Sequence, residues 1–186
     1  SDYRRGDVRL HAGGYYMKLN DEIHYSPAVF SNVNLDATKR YGVELSAESR
    51  PLPRVRVKGS YNYTRSLFTR GQFAGNNVPL VPRHTAALSL YYDVTPQVTL
   101  AASGRYVGRR YFDNDQTNTF MQMPDYAMLD LKATAVLGAW RLTGTIHNVT
   151  GVKTYDYGVR SLSTPGKFNA YPLPQREFNV SVSRSI

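Results

Sequence analysis

RHTAALSLYYDVTPQVTLAASGRYVGRR, Arg83 to Arg110, is the stretch that decides the fold. Its first arm sets Ala86, Leu88, Leu90, Tyr92 and Val94 against Thr85, Ala87, Ser89, Tyr91 and Asp93. Thr95-Pro96 interrupts the pattern. The second arm then sets Val98, Leu100, Ala102, Gly104 and Tyr106 against Thr99, Ala101, Ser103 and Arg105. Side chains alternate across a strand, so each arm reads as a strand with one apolar face and one polar or small face. Each arm also has about the 9–11 residues that a tilted strand needs to cross a bilayer.

The same unit recurs outward from this hairpin. An N-terminal strand is expected over about Asp7 to Tyr25, with Val8, Leu10, Ala12, Gly14 and Tyr16 on one face. A polar connection through Pro27 to Asp36 follows. The next strands run from about Ala37 to Arg50 (Tyr41, Val43, Leu45 and Ala47 on one face) and from about Arg54 to Leu67 (Val55, Val57, Gly59, Tyr61 and Tyr63). Pro51-Leu52-Pro53 turns between them, because proline cannot donate to a ladder. Beyond the hairpin, strands are expected at about Tyr126–Leu137, about Trp140–Tyr155 and around Phe178, Val180 and Val182. Gly138-Ala139 is a tight turn. About eight strands result, in an all-β, antiparallel, up-and-down arrangement. Long connections alternate with short turns, which gathers every long loop at one end of the sheet.

Period two does not say which face is inside. A soluble barrel buries the apolar face, whereas a membrane barrel turns it to lipid and keeps polar groups in the lumen. Three features favour the membrane, the last of them the weakest. The apolar faces carry no charge in their middles, where Arg or Lys would cost about 2–4 kcal/mol. Aromatic residues stand near their ends (Tyr16, Tyr41, Tyr61, Tyr63, Tyr92, Tyr106 and Trp140), where an interfacial girdle belongs. The other faces mix Arg54, Arg56, Lys58, Arg105, Lys132 and Arg141 with Glu44, Glu48, Asp93 and Asp130. The net charge of +9 points to an anionic partner, whether nucleic acid, lipid phosphate or an acidic ligand, or else to a solvated basic surface. No cysteine is present, which excludes disulfides and thiolate metal sites. No apolar run approaches the ~18 residues of a membrane helix. The start at Ser1-Asp2-Tyr3-Arg4-Arg5 reads as a mature chain or a piece of a longer one.

Several segments, in order, resemble TonB-dependent outer-membrane receptors. They are Lys39-Arg40-Tyr41-Gly42-Val43-Glu44-Leu45, Gly59-Ser60-Tyr61-Asn62-Tyr63-Thr64, Val81-Pro82-Arg83-His84-Thr85, Arg105-Tyr106-Val107-Gly108, Pro124-Asp125-Tyr126, His147-Asn148-Val149-Thr150-Gly151-Val152-Lys153-Thr154-Tyr155 and Pro174-Gln175-Arg176-Glu177-Phe178. The resemblance covers nearly the whole chain. It implies a single C-terminal barrel segment over residues 1–186, taken from a wall of about 22 strands around an N-terminal plug. Plug and remaining strands are expected elsewhere. The family ends in an aromatic residue, and this chain in Ile186. The implied function is uptake of a scarce nutrient, foremost a ferric siderophore, driven through TonB acting on the plug. The implied location is the bacterial outer membrane. A stand-alone eight-stranded barrel and a soluble ligand-binding barrel are the alternatives.

No enzyme chemistry and no cofactor are expected. His11, His24, His84 and His147 lack metal-ligand spacing, although His84 and His147 lie toward the long loops. No GxSxG elbow is present. Asp113-Asn114-Asp115 lacks the glycine and glutamate of a calcium loop and reads as a solvated turn. The sequons at Asn62 and Asn148 fall on expected strands and read as chance. The ligand candidates are Arg40, Arg83, Arg105 and Arg109, inward by parity, with Tyr111, Tyr126 and His147. Arginine forks with tyrosines suit an anionic, ring-bearing ligand. Each of these residues could instead brace the wall or touch the plug. Arg70, Arg160 and Lys167 are basic loop residues suited to lipopolysaccharide phosphates. No nucleic-acid motif is present.

Overall fold

The computed structural model describes residues 1–20, 22–26, 31–34 and 36–185. Pro27, in the first connection, and Ile186, at the terminus, lie outside the described residues. Among the described residues the structure is all β, with no helix. In chain order the strands are β1 (Asp2–Arg5), β2 (Val8–Leu19), β3 (Ile23–Ser26), β4 (Ser31–Asn34), β5 (Thr38–Leu52), β6 (Val55–Phe68), β7 (His84–Asp93), β8 (Val98–Val107), β9 (Arg110–Tyr111), β10 (Gln122–Met123), β11 (Tyr126–Leu137), β12 (Trp140–His147), β13 (Tyr155–Arg160), β14 (Phe168–Pro172) and β15 (Glu177–Arg184). Nine of them form one antiparallel sheet in the order β1-β2-β5-β6-β7-β8-β11-β12-β15. The remaining six pair as short hairpins or bridges within the long connections.

Register joins the apolar faces of all the long strands into one surface. One row runs Gly59↔Leu88↔Gly104↔Leu129, and the next Val57↔Leu90↔Ala102↔Leu131↔Ile146↔Phe178. A one-residue slip anywhere would turn a strand inside out. The opposite rows are polar, such as Arg9↔Glu48↔Lys58↔Ser89↔Ser103↔Asp130. Short turns at Gly6-Asp7, Pro53-Arg54, Val94–Gln97 and Gly138-Ala139 lie at one end, and Gly6 and Gly138 hold the positive φ that such turns demand.

Two expected strands end early. The first stops at Leu19, and Ile23–Ser26 instead pairs with Ser31–Asn34. The seventh stops at His147 because Asn148 turns the chain with φ of 49°. Asn148 is not on a strand: its amide nitrogen donates to the carbonyls of Val152 and Pro174, and its Oδ1 accepts from the Val152 N–H.

The buried apolar residues are Phe68, Val78, Phe112, Met123 and Tyr126, all at the long-loop end. The sheet has no apolar core of its own: Leu88, Leu90, Leu100, Leu142, Phe178, Val180 and Val182 are all exposed. Nor do the eight long strands close on themselves, because β15 pairs only with β12 and the other edge of the sheet is β1. The described residues form an open wall, not a small closed barrel.

Candidate functional site

The polar face of the wall comes from every second residue of each strand. Near the turns, Lys58 Nζ lies 3.3 Å from Glu48 Oε1 and the Arg56 guanidinium lies 5.1 Å from the Tyr91 ring centroid. Thr99 Oγ1 donates to Asp93 at 2.8 Å beside the Val94–Gln97 turn, and across the middle the Ser89 and Ser103 hydroxyls are 3.0 Å apart. Tyr15 crosses the strand beside it to reach Thr64 Oγ1 at 2.7 Å. It can do so because Gly42 lies beneath it, where an added Cβ would stand 2.9 Å from the Tyr15 hydroxyl and 1.9 Å from the Tyr63 carbonyl oxygen. Toward the loops, Arg40 Nη2 donates to Glu22 at 2.5 Å, and Thr38 Oγ1 donates to the same carboxylate at 2.8 Å.

Above this face, the connections after β6, β8 and β12 form a cap. Its centre is Phe112, fully buried, with ring centroids of Phe168, Phe120 and Tyr155 at 4.7, 5.4 and 6.0 Å. Gly158 provides the room, since a Cβ there would stand 2.6 Å from the Phe112 ring. Polar ties surround the rings. Arg110 is buried; it donates to Asp156 Oδ1 at 2.7 Å and to the Asp156 carbonyl at 2.8 Å, and the Tyr126 hydroxyl donates to the same Oδ1 at 2.9 Å. Asp115, also fully buried, accepts from Arg160 Nη1 at 2.9 Å, from Thr117 Oγ1 and from the Thr119 and Phe120 amides. Asn118 joins this loop to Asn77 in the preceding one.

The titratable groups of the cap respond to these contacts. Partial burial, together with the hydrogen bond from its hydroxyl to Asp113 Oδ2 at 2.7 Å, pushes the Tyr157 phenol up to about 12. Burial also raises the Tyr155 phenol. The Arg109 N–H on Asp125 holds that carboxyl below its usual range.

The candidates from sequence are scattered, and most already have a side-chain partner. Arg40, with its Glu22 tie, belongs to β5. Arg105 belongs to β8, 3.4 Å from Met128 Sδ, with its guanidinium 5.6 Å from the Tyr126 ring. Arg105, Tyr126 and the unforeseen Arg110 (5.8 Å from the same ring) are the one group the fold assembles. His147 Nδ1 lies 3.3 Å from Asp130 Oδ2 on the polar face, with β6, β7, β8 and β11 between its strand and that of Arg40. Arg83 donates to Asn77 Oδ1 at 3.1 Å, and the Tyr111 carbonyl accepts from the Leu80 amide at 2.9 Å. Arg109 departs from its expected inward direction: it shares Asp125 with Tyr106, a residue of the apolar face, and so stands on the outer rim. His84 likewise meets Tyr61 and Tyr63 on the outer face. The Asp113–Asp115 segment is not a solvated turn, since Asp115 is wholly enclosed. Arg160 is engaged by that aspartate. Among the described residues no three His, Asp or Glu side chains converge as a metal site. The cap network left no periodic trace in sequence; its only signal is the interleaving of acids with rings in Phe112–Asp115 and Tyr155–Tyr157.

A single-layer antiparallel wall with one exposed apolar face, one polar face and long loops at one end defines an outer-membrane β-barrel protein. The family model for "TonB dependent receptor-like, beta-barrel" matches residues 1–149, and the chain belongs to that family. Among similar proteins, the ferrioxamine receptor of Yersinia enterocolitica is 28% identical over 139 residues, 73% of this chain and 19% of its own length. The solved ferric yersiniabactin uptake receptor of Yersinia pestis superposes with a TM-score of 0.80 at 24% identity, over 97% of this chain and 28% of that one. A copper transporter structure gives 0.79 at 17% identity, over 100% of this chain and 30% of that one. The chain thus spans about a fifth of the length of the curated relative, 19%. Its place is the outer membrane of a Gram-negative bacterium.

Proposed function

We propose that this chain is the C-terminal part of the barrel wall of a receptor that imports a ferric siderophore, driven by TonB through a plug domain. It supplies wall and ligand surface and makes or breaks no bonds. The observation that carries the reading is exposed Arg105 at the junction of wall and cap, its guanidinium 5.6 Å from the Tyr126 ring, which buried Arg110 braces from behind. Fixed guanidinium charge beside an aromatic face suits an anionic, ring-bearing complex. The name of the ferrioxamine receptor supports the same cargo class. Within this reading Arg40, Arg83, Tyr111 and His147 are further contacts for ligand or plug, and Arg109 serves at the rim.

The test uses the complete receptor in cells stripped of their own siderophore receptors, with and without TonB. Labelled ferric hydroxamates and catecholates are supplied one at a time, with copper in parallel. Uptake of at least one ferric siderophore, abolished without TonB and reduced about tenfold by Arg105→Ala, is expected. Copper uptake alone, or uptake indifferent to TonB, would overturn the proposal.

A further inference from the structure

The outer face of the wall carries cations where lipid should exclude them, and they gather at one corner. On β2, β5 and β6 the outward rows carry Lys18, Lys39 and Arg65 at the long-loop side, with Leu67 beyond Arg65 and opposite Lys39. Lys18 stands directly opposite Lys39 in the ladder, and Arg65 stands opposite Tyr41, one diagonal step from Lys39. Opposed residues of this kind hold their Cβ atoms about 5 Å apart, and diagonal ones about 7–8 Å. Like charges directly opposed are unfavourable. No Asp or Glu occupies the outward positions of β2, β5, β6 or β7 to offset them. None of the three cations has an ion pair among the described residues, and Arg65 Nε is enclosed without a hydrogen-bond partner. Glu22, the nearby acid, is engaged on the other face by Arg40 and Thr38.

Two features below the cluster point to the same occupant. The Tyr16 and Tyr41 rings stack at 6.4 Å, with Lys18 Nζ 6.0 Å from the Tyr16 centroid, which places the cations at headgroup level. Further down the same three strands, Leu10, Leu45 and Tyr61 bound a groove of about 440 Å³ floored by Ala12, Ala47 and Gly59. Six residues separate Lys18 from Ala12, about 20 Å along a strand and about 14 Å in depth at a 45° tilt. That depth is the reach of an acyl chain within one leaflet of a hydrocarbon core about 30 Å thick.

We propose that Lys18, Lys39 and Arg65 form a binding site for the phosphorylated sugar headgroup of an outer-leaflet glycolipid, whose acyl chain lies in the groove below. The ammonium pair closes on one phosphate and the arginine fork grips it side-on. The site rests on the placement in the outer membrane and not on the cargo.

The test takes the complete receptor in nanodiscs, with bisphosphorylated lipid A, its monophosphoryl form and inorganic phosphate as probes. Bound lipid is read by mass spectrometry after graded washing, and folding by heat-modifiable gel mobility. Each surface cation contributes about a fivefold factor to anionic-lipid binding. The triple variant Lys18→Gln/Lys39→Gln/Arg65→Gln should therefore bind bisphosphorylated lipid A about 100-fold more weakly. Lys39→Gln alone, which also relieves the opposed charges, should lose about fivefold. Lys132→Gln on the inner face should bind normally, and siderophore uptake by the triple variant should persist. Retention of lipid A within about twofold in the triple variant would overturn the site, as would equal loss in Lys132→Gln. Full competition by millimolar phosphate would overturn the lipid assignment. Should the triple variant not fold, an unchanged affinity in Lys39→Gln would overturn the proposal equally.

Discussion

Replacing Asp115 with alanine should detach the loop cap from itself while leaving the wall intact. The side chain is fully buried and accepts from Arg160 Nη1 at 2.9 Å, Thr117 Oγ1 at 3.0 Å, and the amides of Thr119 and Phe120 at 3.2 Å. A charge-assisted bond contributes about 1.5–3 kcal/mol and each neutral partner about 1. These contributions overlap, so about 3–5 kcal/mol of local stability is at stake. The two partners are not equivalent. Arg160 Nη1 also reaches Thr117 and Thr119, and its side chain is 30% exposed, so without Asp115 it can turn to water. The two amides lose their carboxylate acceptor and cannot move as freely. Arg160→Met leaves Asp115 three donors and should cost about 1–2 kcal/mol. The assay is native-state hydrogen exchange of the receptor in detergent. Exchange within residues 117–120 and 158–160 should accelerate by about 100-fold or more in Asp115→Ala, by about tenfold in Arg160→Met, and not at all in β8 and β11. Equal effects of the two variants, or acceleration spread evenly through the wall, would refute the reasoning.

Three further outcomes are expected. Gly158→Ala places a methyl 2.6 Å from the Phe112 ring and should loosen the cap by about 1–3 kcal/mol, seen as faster proteolysis of the β13–β14 hairpin. Leu131→Arg, at the middle of the lipid-facing surface of β11, should cost about 2–4 kcal/mol in refolding from denaturant, whereas Ser103→Arg on the polar face should cost little. The Tyr157 phenol is raised from 10.0 to about 12 when folded, so the protonated form is favoured there. Its contribution is complete below pH 10 and vanishes as pH climbs through 12. With the residue 39% exposed, screening leaves on the order of 1 kcal/mol, measurable as a drop in cap melting temperature that Tyr157→Phe abolishes.

The wall was legible because a lipid-facing strand has to obey one rule along its whole length. Leu88, Leu90, Leu100 and Leu131 could be assigned to one face before any partner was known, and register then set them side by side. The rule weakens where the bilayer ends. Nothing periodic distinguishes Leu19, the last ladder residue of β2, from Ile23, the first of β3. Likewise, parity carried the seventh strand past His147 although Asn148 takes a left-handed turn. Parity also failed for Arg109, because beyond Val107, where β8 ends, side chains no longer alternate.

The site was less legible because function here depends on which loop meets which. Arg105 was found from its strand position alone. Arg110, five residues on, makes a comparable approach to Tyr126 only because β13 brings Asp156 beside it from 46 residues away. Asp115 looked like a solvated loop acid until Arg160 arrived from 45 residues away. In each case one partner of the ion pair is buried, Arg110 in the first and Asp115 in the second, so losing the pairing costs more than it would on an open surface. The connections after β8 and β12 are thus bound into one body at the mouth of the wall. On the proposed reading, a ligand that contacts Arg105 from the lumen meets a face of that same body, since Arg105 lies against the Tyr126 ring and the Tyr126 hydroxyl is tied to Asp156 at 2.9 Å. Under the proposed uptake function, capture by the cap and contact with the wall are two sides of a single structural element, and variants that loosen the cap should weaken ligand binding even where they touch no ligand atom.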